Sequence, residues 1–330
     1  MKAYGSTDGN VNRLSDNGVR MIRSLLFFGT RCSFADTVLS RLTESGFSIA
    51  ARVVPGYAQA KEPFTLLQPR STATTTGPRL PLAGNARAGD AGTTDTRHPI
   101  VAINKHVSPE PADYLAGLGA DLAVVCCYPK RLPLALVAAA EYGGINVHPS
   151  LLPAYRGPEP LFWIFRNGET ESGLTLHRVD ASLDTGPIVS QQNIAVPVGM
   201  SGDELWNHSA TLAGEMLERT LERGQIESEH GFQQSKDGAS YQSWPVPADL
   251  IIDPRKWDAW RVFHFCRGVI PLGYTPAVVA DGLARPVLSA STYVNDINVP
   301  VSDSNAAGWS DWIRCKSGQV RLTLGPVTRG

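Results

Sequence analysis

Apolar segments separated by polar turns run along the chain from residue 21 to about residue 223. Residues 22–28 form an apolar run typical of a buried strand. A helix is predicted over 33–45, because its large apolar side chains recur at helical spacing, and a second strand is predicted over 47–54. A strand, a helix and a strand in this order predict a parallel sheet, and hence an α/β fold.

The same pattern predicts the remaining elements of this first domain. Residues 57–98 interrupt it, because they are rich in Thr, Pro, Gly and Ala and show no clear periodicity. This long insertion is predicted to be either a substrate-facing loop or a disordered segment. The interval from Ser201 to Glu204 has the spacing of a capping box. The further strands are predicted over 100–103, 121–127, 145–148, 174–179 and 188–196, and the further helices over 111–118, 132–142, 158–167 and from 201 to about 223.

Changes in composition divide the chain into four parts. Residues 1–20 have too few large apolar side chains to offset the entropy of ordering, so a disordered tail is expected. Residues 21–223 form the first domain, and residues 224–243, rich in Gly, Ser and Gln, form a linker. Residues 244–330 form a small β domain, with a helix predicted over 254–268 and strands over 276–279, 286–293, 312–315 and 319–324.

Composition excludes several classes of protein. The 330 residues hold five cysteines without C-x-x-C spacing, which argues against a disulfide framework or a structural metal site. No apolar run approaches the roughly 20 residues that span a bilayer, so we expect a cytoplasmic protein without membrane contact. A net charge of −1 provides no general attraction for a polyanion. The first turn, Gly29–Phe34, lacks the G-x-G-x-x-G pattern, which disfavours NAD.

The candidate chemistry lies at the end of the strand predicted over 145–148. Side chains alternate along a strand, so Asn146 and His148 are expected to face one pocket. A Pro-bracketed loop follows, ending in Arg156 and Gly157, and Asp184 stands on a later loop bounded by Gly and Pro. Taken alone, Asp184 is as compatible with an Asx-turn as with catalysis.

These residues resemble the active site of the folate-dependent formyltransferases, a family that includes methionyl-tRNA formyltransferases and aminosugar N-formyltransferases. Asn, His and Asp have the same order and intervals in that family. The resemblance covers about residues 21–222, and more weakly 243–324. It implies a Rossmann-like, mostly parallel sheet in a formyltransferase domain, followed by a small C-terminal β-rich domain that is OB-like.

The chemistry of formyl transfer suggests a role for each of the three residues. Asn146 is expected to donate to the oxyanion of the tetrahedral intermediate, where a fixed donor stabilises the developing charge. His148 is the acid–base candidate. Asp184 would orient His148, favour its charged form and help to remove the proton of the amine.

The resemblance also implies a formyl donor, 10-formyltetrahydrofolate, and no metal. A flat ring system needs apolar walls at the carboxyl end of the sheet. Lys130 could approach the glutamate tail of folate or simply be solvated. The donor-binding candidates are Tyr128, Lys130, Leu132, Pro133, Val179 and Asp180, and the acceptor-side candidates are Ser150, Arg156 and Gly157.

Three functions compete at this point. We expect transfer to a primary amine of a small molecule, such as an aminosugar nucleotide or a biosynthetic intermediate. The alternative is a methionyl-tRNA formyltransferase, favoured by the two-domain plan. It is disfavoured because residues 241–330 hold nine Lys and Arg against seven Asp and Glu, and because Arg31–Ser33 and Pro158–Pro160 depart from the tRNA-enzyme pattern. The third is a non-catalytic folate-binding module. The acceptor and the oligomeric state stay open.

Overall fold

The structure is a computed structural model that describes residues 21–56, 60, 62–67, 98–105, 108–224, 231–280, 283–298 and 310–326. The expected tail at residues 1–20 and most of the insertion at 57–98 lie outside these residues. The described chain begins with β1 (Ser24–Phe28), α1 (Ser33–Glu44), β2 (Ser48–Pro55), β3 (Phe64–Leu67), β4 (Ile100–Ile103), α2 (Glu110–Ala116), β5 (Leu122–Cys126), α3 (Leu134–Val137), β6 (Gly144–His148), α4 (Pro160–Asn167), β7 (Glu171–Arg178), β8 (Ile188–Ala195) and α5 (Gly202–Glu222).

Eight strands form the first sheet in the order β3-β4-β2-β1-β5-β6-β7-β8. The five strands from β4 to β6 run parallel, whereas β3, and the β6-β7 and β7-β8 pairs, are antiparallel. The predicted α/β fold with a mostly parallel sheet is therefore confirmed. A capping box at Ser201 and Glu204 opens α5, as its spacing predicted.

Each face of this sheet is covered by a different apolar cluster, as expected for a parallel sheet packed between helices. Leu25 and Phe27 of β1 pack with α1, α4 and α5 on one face. Leu26 and Phe28 pack with α2 and α3 on the other. This alternation carries along β6, where Ile145 belongs to the first cluster and the polar side chains face the second.

A second sheet follows in the C-terminal part of the chain, and its buried side chains belong to the same apolar cluster as Leu25 and Phe27. After a short 3₁₀ helix (Pro247–Leu250) come β9 (Ile251–Ile252), α6 (Ala259–Val269), β10 (Ala277–Ala280), β11 (Leu283–Val294), β12 (Ser310–Arg314) and β13 (Gln319–Leu324). Their order in the sheet is β12-β13-β11-β10-β9. Helix α6 packs tightly on α4. Gly268 permits this close approach, because a Cβ at that position would come within 2.1 Å of the Phe165 ring. The C-terminal β-rich part is confirmed, and its OB-like topology stays a prediction.

Three details of local structure differ from the expectations. The helix predicted over 132–142 shrinks to α3, because the amides of Glu141 and Tyr142 bond to Ala120 and Asp121 instead of to the preceding helical turn. The insertion contains an edge strand, β3, which the sequence did not indicate. Residues 231–243, predicted as part of a linker, are hydrogen-bonded along the first domain. Within the described ranges, no helix has both the length and the apolarity needed to cross a membrane.

Candidate active site

The pairing of β6 with β7 assembles the core of the site. In this antiparallel pair Asn146 lies opposite His177, and His148 lies opposite Thr175. Paired residues put their side chains on the same face of a sheet. Two histidines, an asparagine and a threonine therefore meet at one patch, on the face opposite to the cluster that contains Ile145 and Leu176.

Asp184 completes this patch from the loop between β7 and β8. Its Oδ2 accepts a hydrogen bond from the Gly157 amide at 2.8 Å, and its Oδ1 accepts one from Asn146 Nδ2 at 3.2 Å. The same Oδ1 lies 3.4 Å from His177 Nε2 and 3.7 Å from His148 Nδ1. Because the carboxylate bonds to residues far away in the chain, the local Asx-turn alternative for Asp184 is wrong.

His148 is held by the backbone rather than by Asp184. Its Nε2 lies 2.8 Å from the Tyr155 carbonyl oxygen, which can only accept, so Nε2 carries the proton and Nδ1 is the free base. Burial lowers the pKa of His148 and outweighs the opposite effect of Asp184. As expected, Asp184 favours the charged form of His148, but burial has the larger effect, so the resting imidazole is neutral. The hydrogen bond to the ring is made by the Tyr155 carbonyl, and the orienting role of Asp184 stays a prediction.

Asp184 itself is ionised. Burial would raise the pKa of this carboxyl group, but the histidines, once they are protonated at low pH, and the Gly157 amide outweigh burial and lower the pKa to about 2. The hydrogen bonds from Gly157 and Asn146 stabilise the anion whether or not His148 is charged. The site thus sets the ring nitrogen of a neutral base beside a fixed negative charge.

Asn146 uses both of its amide protons inside the resting site. One points to Asp184, and the other points to His177 Nε2 at 3.0 Å. His177 Nε2 is the acceptor, because Nδ1 lies 2.8 Å from the Arg178 carbonyl oxygen and therefore carries the proton. Asn146 must therefore give up one of these partners before it can donate to an oxyanion.

His177 is a site residue that the sequence interpretation missed. Polar Thr175 and His177 alternate with apolar Leu174 and Leu176 along β7, and this alternation was the available signal. It became informative only with the antiparallel pairing to β6, which the chain order does not specify.

The acceptor-side candidates have other partners in this structure. Ser150 is fully buried, its hydroxyl donates to the Ala154 carbonyl, and its carbonyl accepts from Thr175, so we assign it to loop shaping instead of substrate contact. Gly157 donates to Asp184 and has a φ of 94°, a left-handed conformation that favours glycine. Arg156 is half-buried and donates from Nε and Nη2 to Gln234 at 3.0 and 2.6 Å.

Three of the six donor-binding candidates lie beside the apolar cluster on the sheet face that α1 does not cover. Tyr128, Leu132 and Val179 all pack against it, and the Tyr128 ring meets Phe28 edge-on at 6.1 Å. Burial raises the pKa of the Tyr128 hydroxyl, which stays protonated. Asp180 accepts hydrogen bonds from the Ser182 amide and the Thr185 hydroxyl, and so shapes the loop before Asp184. Lys130 is exposed, and Pro133 directly precedes α3.

Comparisons with known proteins show a family match and several relatives. Residues 32–221 match the family model described as formyl transferase. GDP-perosamine N-formyltransferase of Brucella melitensis is 33% identical over 187 residues, which cover 56% of this chain and 71% of that protein. Methionyl-tRNA formyltransferase of Sorangium cellulosum is 37% identical over 196 residues, which cover 58% of this chain and 61% of that protein.

A solved structure extends the similarity of fold over nearly the whole chain. The N-formyltransferase of Helicobacter canadensis, solved in complex with folinic acid and dTDP-3-aminofucose, superposes with a TM-score of 0.61 at 14% identity. The alignment covers 92% of this chain and 99% of that one. The family match over residues 32–221 and the 33% identity to the Brucella protein show that the chain belongs to the formyl transferase family and is a formyltransferase.

Proposed function

We propose that this protein transfers the formyl group of 10-formyltetrahydrofolate to a primary amine of a small molecule, an aminosugar nucleotide or a biosynthetic intermediate. One observation carries the proposal. The unprotonated Nδ1 of buried, neutral His148 faces the ionised carboxylate of Asp184 at 3.7 Å. A base beside a fixed negative charge can take a proton from an attacking amine and be stabilised once it is charged.

The residues divide the reaction between them. The bound donor supplies the formyl group, whose bond to N10 breaks as a bond to the acceptor nitrogen forms. His148 Nδ1 accepts the proton that the amine loses and returns it to N10, so no proton is left over. Asp184 stabilises the imidazolium between these two transfers. Asn146 exchanges its bond to His177 or Asp184 for one to the oxyanion, an interaction made only in the transition state.

The walls for the donor follow from the contacts around Tyr128. The apolar patch formed by Tyr128, Leu132 and Val179 suits a flat pterin ring, and we assign Pro133, next to Leu132 in the chain, to the same wall. Asp180 orders the second wall through Thr185. Lys130, exposed beside the first wall, is available to the anionic glutamate tail of folate. We assign the acceptor to the side of Arg156 and Gly157.

A small acceptor is supported by charge and by the named relatives. The chain carries a net charge of −1, which provides no broad attraction for the many phosphates of a tRNA. The Brucella relative is named for GDP-perosamine, and the Helicobacter structure holds dTDP-3-aminofucose. Arg156 makes no ion pair with a carboxylate in the described part of the chain, so its charge is available to an anionic acceptor.

The second candidate function is formylation of methionyl-tRNA. The Sorangium protein, which bears that name, is 37% identical. The second sheet, for which we keep the OB-like prediction, fits the two-domain plan expected of such an enzyme.

Salt separates the two candidates. A protein that neutralises several phosphates loses affinity steeply as salt rises, whereas a small acceptor with one or two phosphates gives a shallow slope. The experiment compares formylation of nucleotide-linked aminosugars with formylation of initiator methionyl-tRNA, and measures both affinities between about 50 and 200 mM salt. Efficient tRNA formylation with a steep slope would overturn the small-molecule proposal.

A further inference from the structure

Segment 231–243 contacts two parts of the site, the end of the loop that carries Asp184 and the loop that carries Arg156 and Gly157. At its start, the Phe232 and Ile188 backbones exchange two hydrogen bonds of 2.8 Å beside the loop that holds Asp184. At its end, the Arg156 amide donates to Ser240, and the Gln242 amide donates to Arg156. The segment is therefore anchored at two points, at Ile188, which begins β8 directly after the Asp184 loop, and at Arg156.

Gln234 joins the two loops between these anchors. Its side-chain oxygen accepts both bonds from the Arg156 guanidinium. Its amide nitrogen donates to the carbonyl oxygens of Asp184 at 2.9 Å and Gly186 at 2.8 Å. The carboxamide thus makes four hydrogen bonds, the full capacity of its two protons and two lone pairs. One of the two carbonyl groups that it binds belongs to Asp184 itself.

The backbone of Asp184 has an uncommon conformation that hydrogen bonds can stabilise. Its φ is 54°, in the left-handed region, which costs free energy for a residue with a side chain, although aspartate adopts it more readily than most other residues. The three residues before it are exposed and offer little packing. If the backbone relaxed to the right-handed region, the carboxylate would turn away from His148 Nδ1. The hydrogen bond from Gln234 to the Asp184 carbonyl oxygen helps to hold this conformation.

We infer that Gln234 is a positioning residue for formyl transfer, which holds the Asp184 backbone so that its carboxylate faces His148. This inference rests on the proposed function for its effect on rate. Gln234 need not touch either substrate, because it acts through Asp184. The alternative is that Gln234 merely fastens the chain on its way to the second sheet, a task that the Phe232 and Ser240 backbone bonds also perform.

The test uses two substitutions and a neighbouring control. Gln234→Met keeps the length of the side chain and removes all four hydrogen bonds without adding charge. Gln234→Glu retains acceptors for Arg156 and loses the donors to Asp184 and Gly186, so it keeps segment 231–243 attached if the Met variant fails to fold. Gln233→Met is the control, because Gln233 is exposed and makes no side-chain hydrogen bond to the described residues.

Two readouts separate positioning from fastening. We expect kcat to fall about tenfold in both Gln234 variants, with little change in the KM for the donor and none in the control. Asp184 raises the pKa of His148, while burial and His177 lower it, and the Tyr155 carbonyl holds Nε2. Withdrawal of the carboxylate should therefore lower the pKa of His148 further in Gln234→Met, measured by NMR titration of histidine-labelled protein without ligands.

The outcomes are distinct. A kcat within about twofold of wild type in folded Gln234→Met or Gln234→Glu would overturn the inference. An unchanged pKa of His148 in folded Gln234→Met would also overturn it, whatever happens to the rate. If the Met variant does not fold, the kcat of Gln234→Glu decides. The titration needs no substrate, so it tests the role of Gln234 even if the wild-type protein formylates no amine. A wild-type protein that formylates no amine would instead overturn the proposed function.

Discussion

Replacing Asp184 with asparagine preserves the size of the side chain and removes its charge. The new amide oxygen can still accept from Gly157 or Asn146, so the loop keeps part of its support. The fixed negative charge beside His148 Nδ1 disappears. Asp184→Asn therefore isolates the electrostatic contribution from the shape of the site.

The size of the effect follows from one distance. Unit charges separated by about 4 Å, close to the observed 3.7 Å, interact by about 4 kcal/mol at an effective dielectric constant of about 20. This energy would be lost when His148 becomes charged in the transition state, and it corresponds to about 10³-fold in rate. Part of the charge is screened by the bonds to Gly157 and Asn146, so we expect kcat to fall by about 10²–10³-fold.

The assay measures kcat and kcat/KM against pH for wild type and Asp184→Asn. Neutral His148 is the active base, so the rate falls as pH drops through its pKa. Because Asp184 raises that pKa, its removal moves the acidic limb to lower pH. A loss of less than about tenfold in kcat, or an acidic limb that moves to higher pH, would refute this account of Asp184.

The same carboxyl group affects stability. Its pKa drops from 3.8 to about 2 on folding, so the ionised form stabilises the folded protein. A lowered pKa means that this stabilisation is present above the unfolded value and lost as pH falls toward the folded value. The difference in unfolding free energy between wild type and Asp184→Asn should therefore shrink between about pH 5 and pH 2, as measured by denaturant unfolding.

Three further predictions concern the same site. Asn146→Ala should lower kcat by about 10²–10³-fold with little change in donor affinity, as measured by steady-state kinetics and titration. An unchanged kcat would show that Asn146 does not stabilise the oxyanion. Gly157→Ala should lower activity and reduce the unfolding free energy by at least about 1–2 kcal/mol, as measured by thermal and denaturant unfolding. The reasons are that φ is 94° at this position and that a Cβ would come within 2.2 Å of the Gln242 carbonyl oxygen. His148→Ala and Asp184→Ala should be non-additive in kcat, since the two side chains act as one unit, and a double mutant whose loss equals the product of the single losses would contradict that coupling.

What the sequence could predict was mostly local. Alternation along one strand is a local property, so it placed Asn146 and His148 on one face before the fold was known. The interval to Asp184 came from resemblance to a family. His177 was missed because its proximity depends on β7 running antiparallel to β6, and pairing between strands is not written in either strand alone.

The segment after α5 is a second case in which the sequence does not indicate the contacts. Its Gly, Ser and Gln content is typical of linkers, and composition does not indicate which polar groups find partners. Gln234 is distinguished from Gln233 only by where the backbone carries it. Likewise, the apolar spacing after Leu132 fits a long helix, but the amides of Glu141 and Tyr142 bond beside β5 and end α3 early.

In the proposed function, His148 and Asp184 together move a formyl group from folate to an amine. The most direct measurement follows isotopically labelled formyl from 10-formyltetrahydrofolate into a panel of nucleotide-linked aminosugars by mass spectrometry, with wild type, Asp184→Asn and Gln233→Met side by side. We predict labelled N-formyl product with wild type and Gln233→Met, and a rate about 10²–10³-fold lower with Asp184→Asn. Equal product formation by wild type and Asp184→Asn would contradict the account.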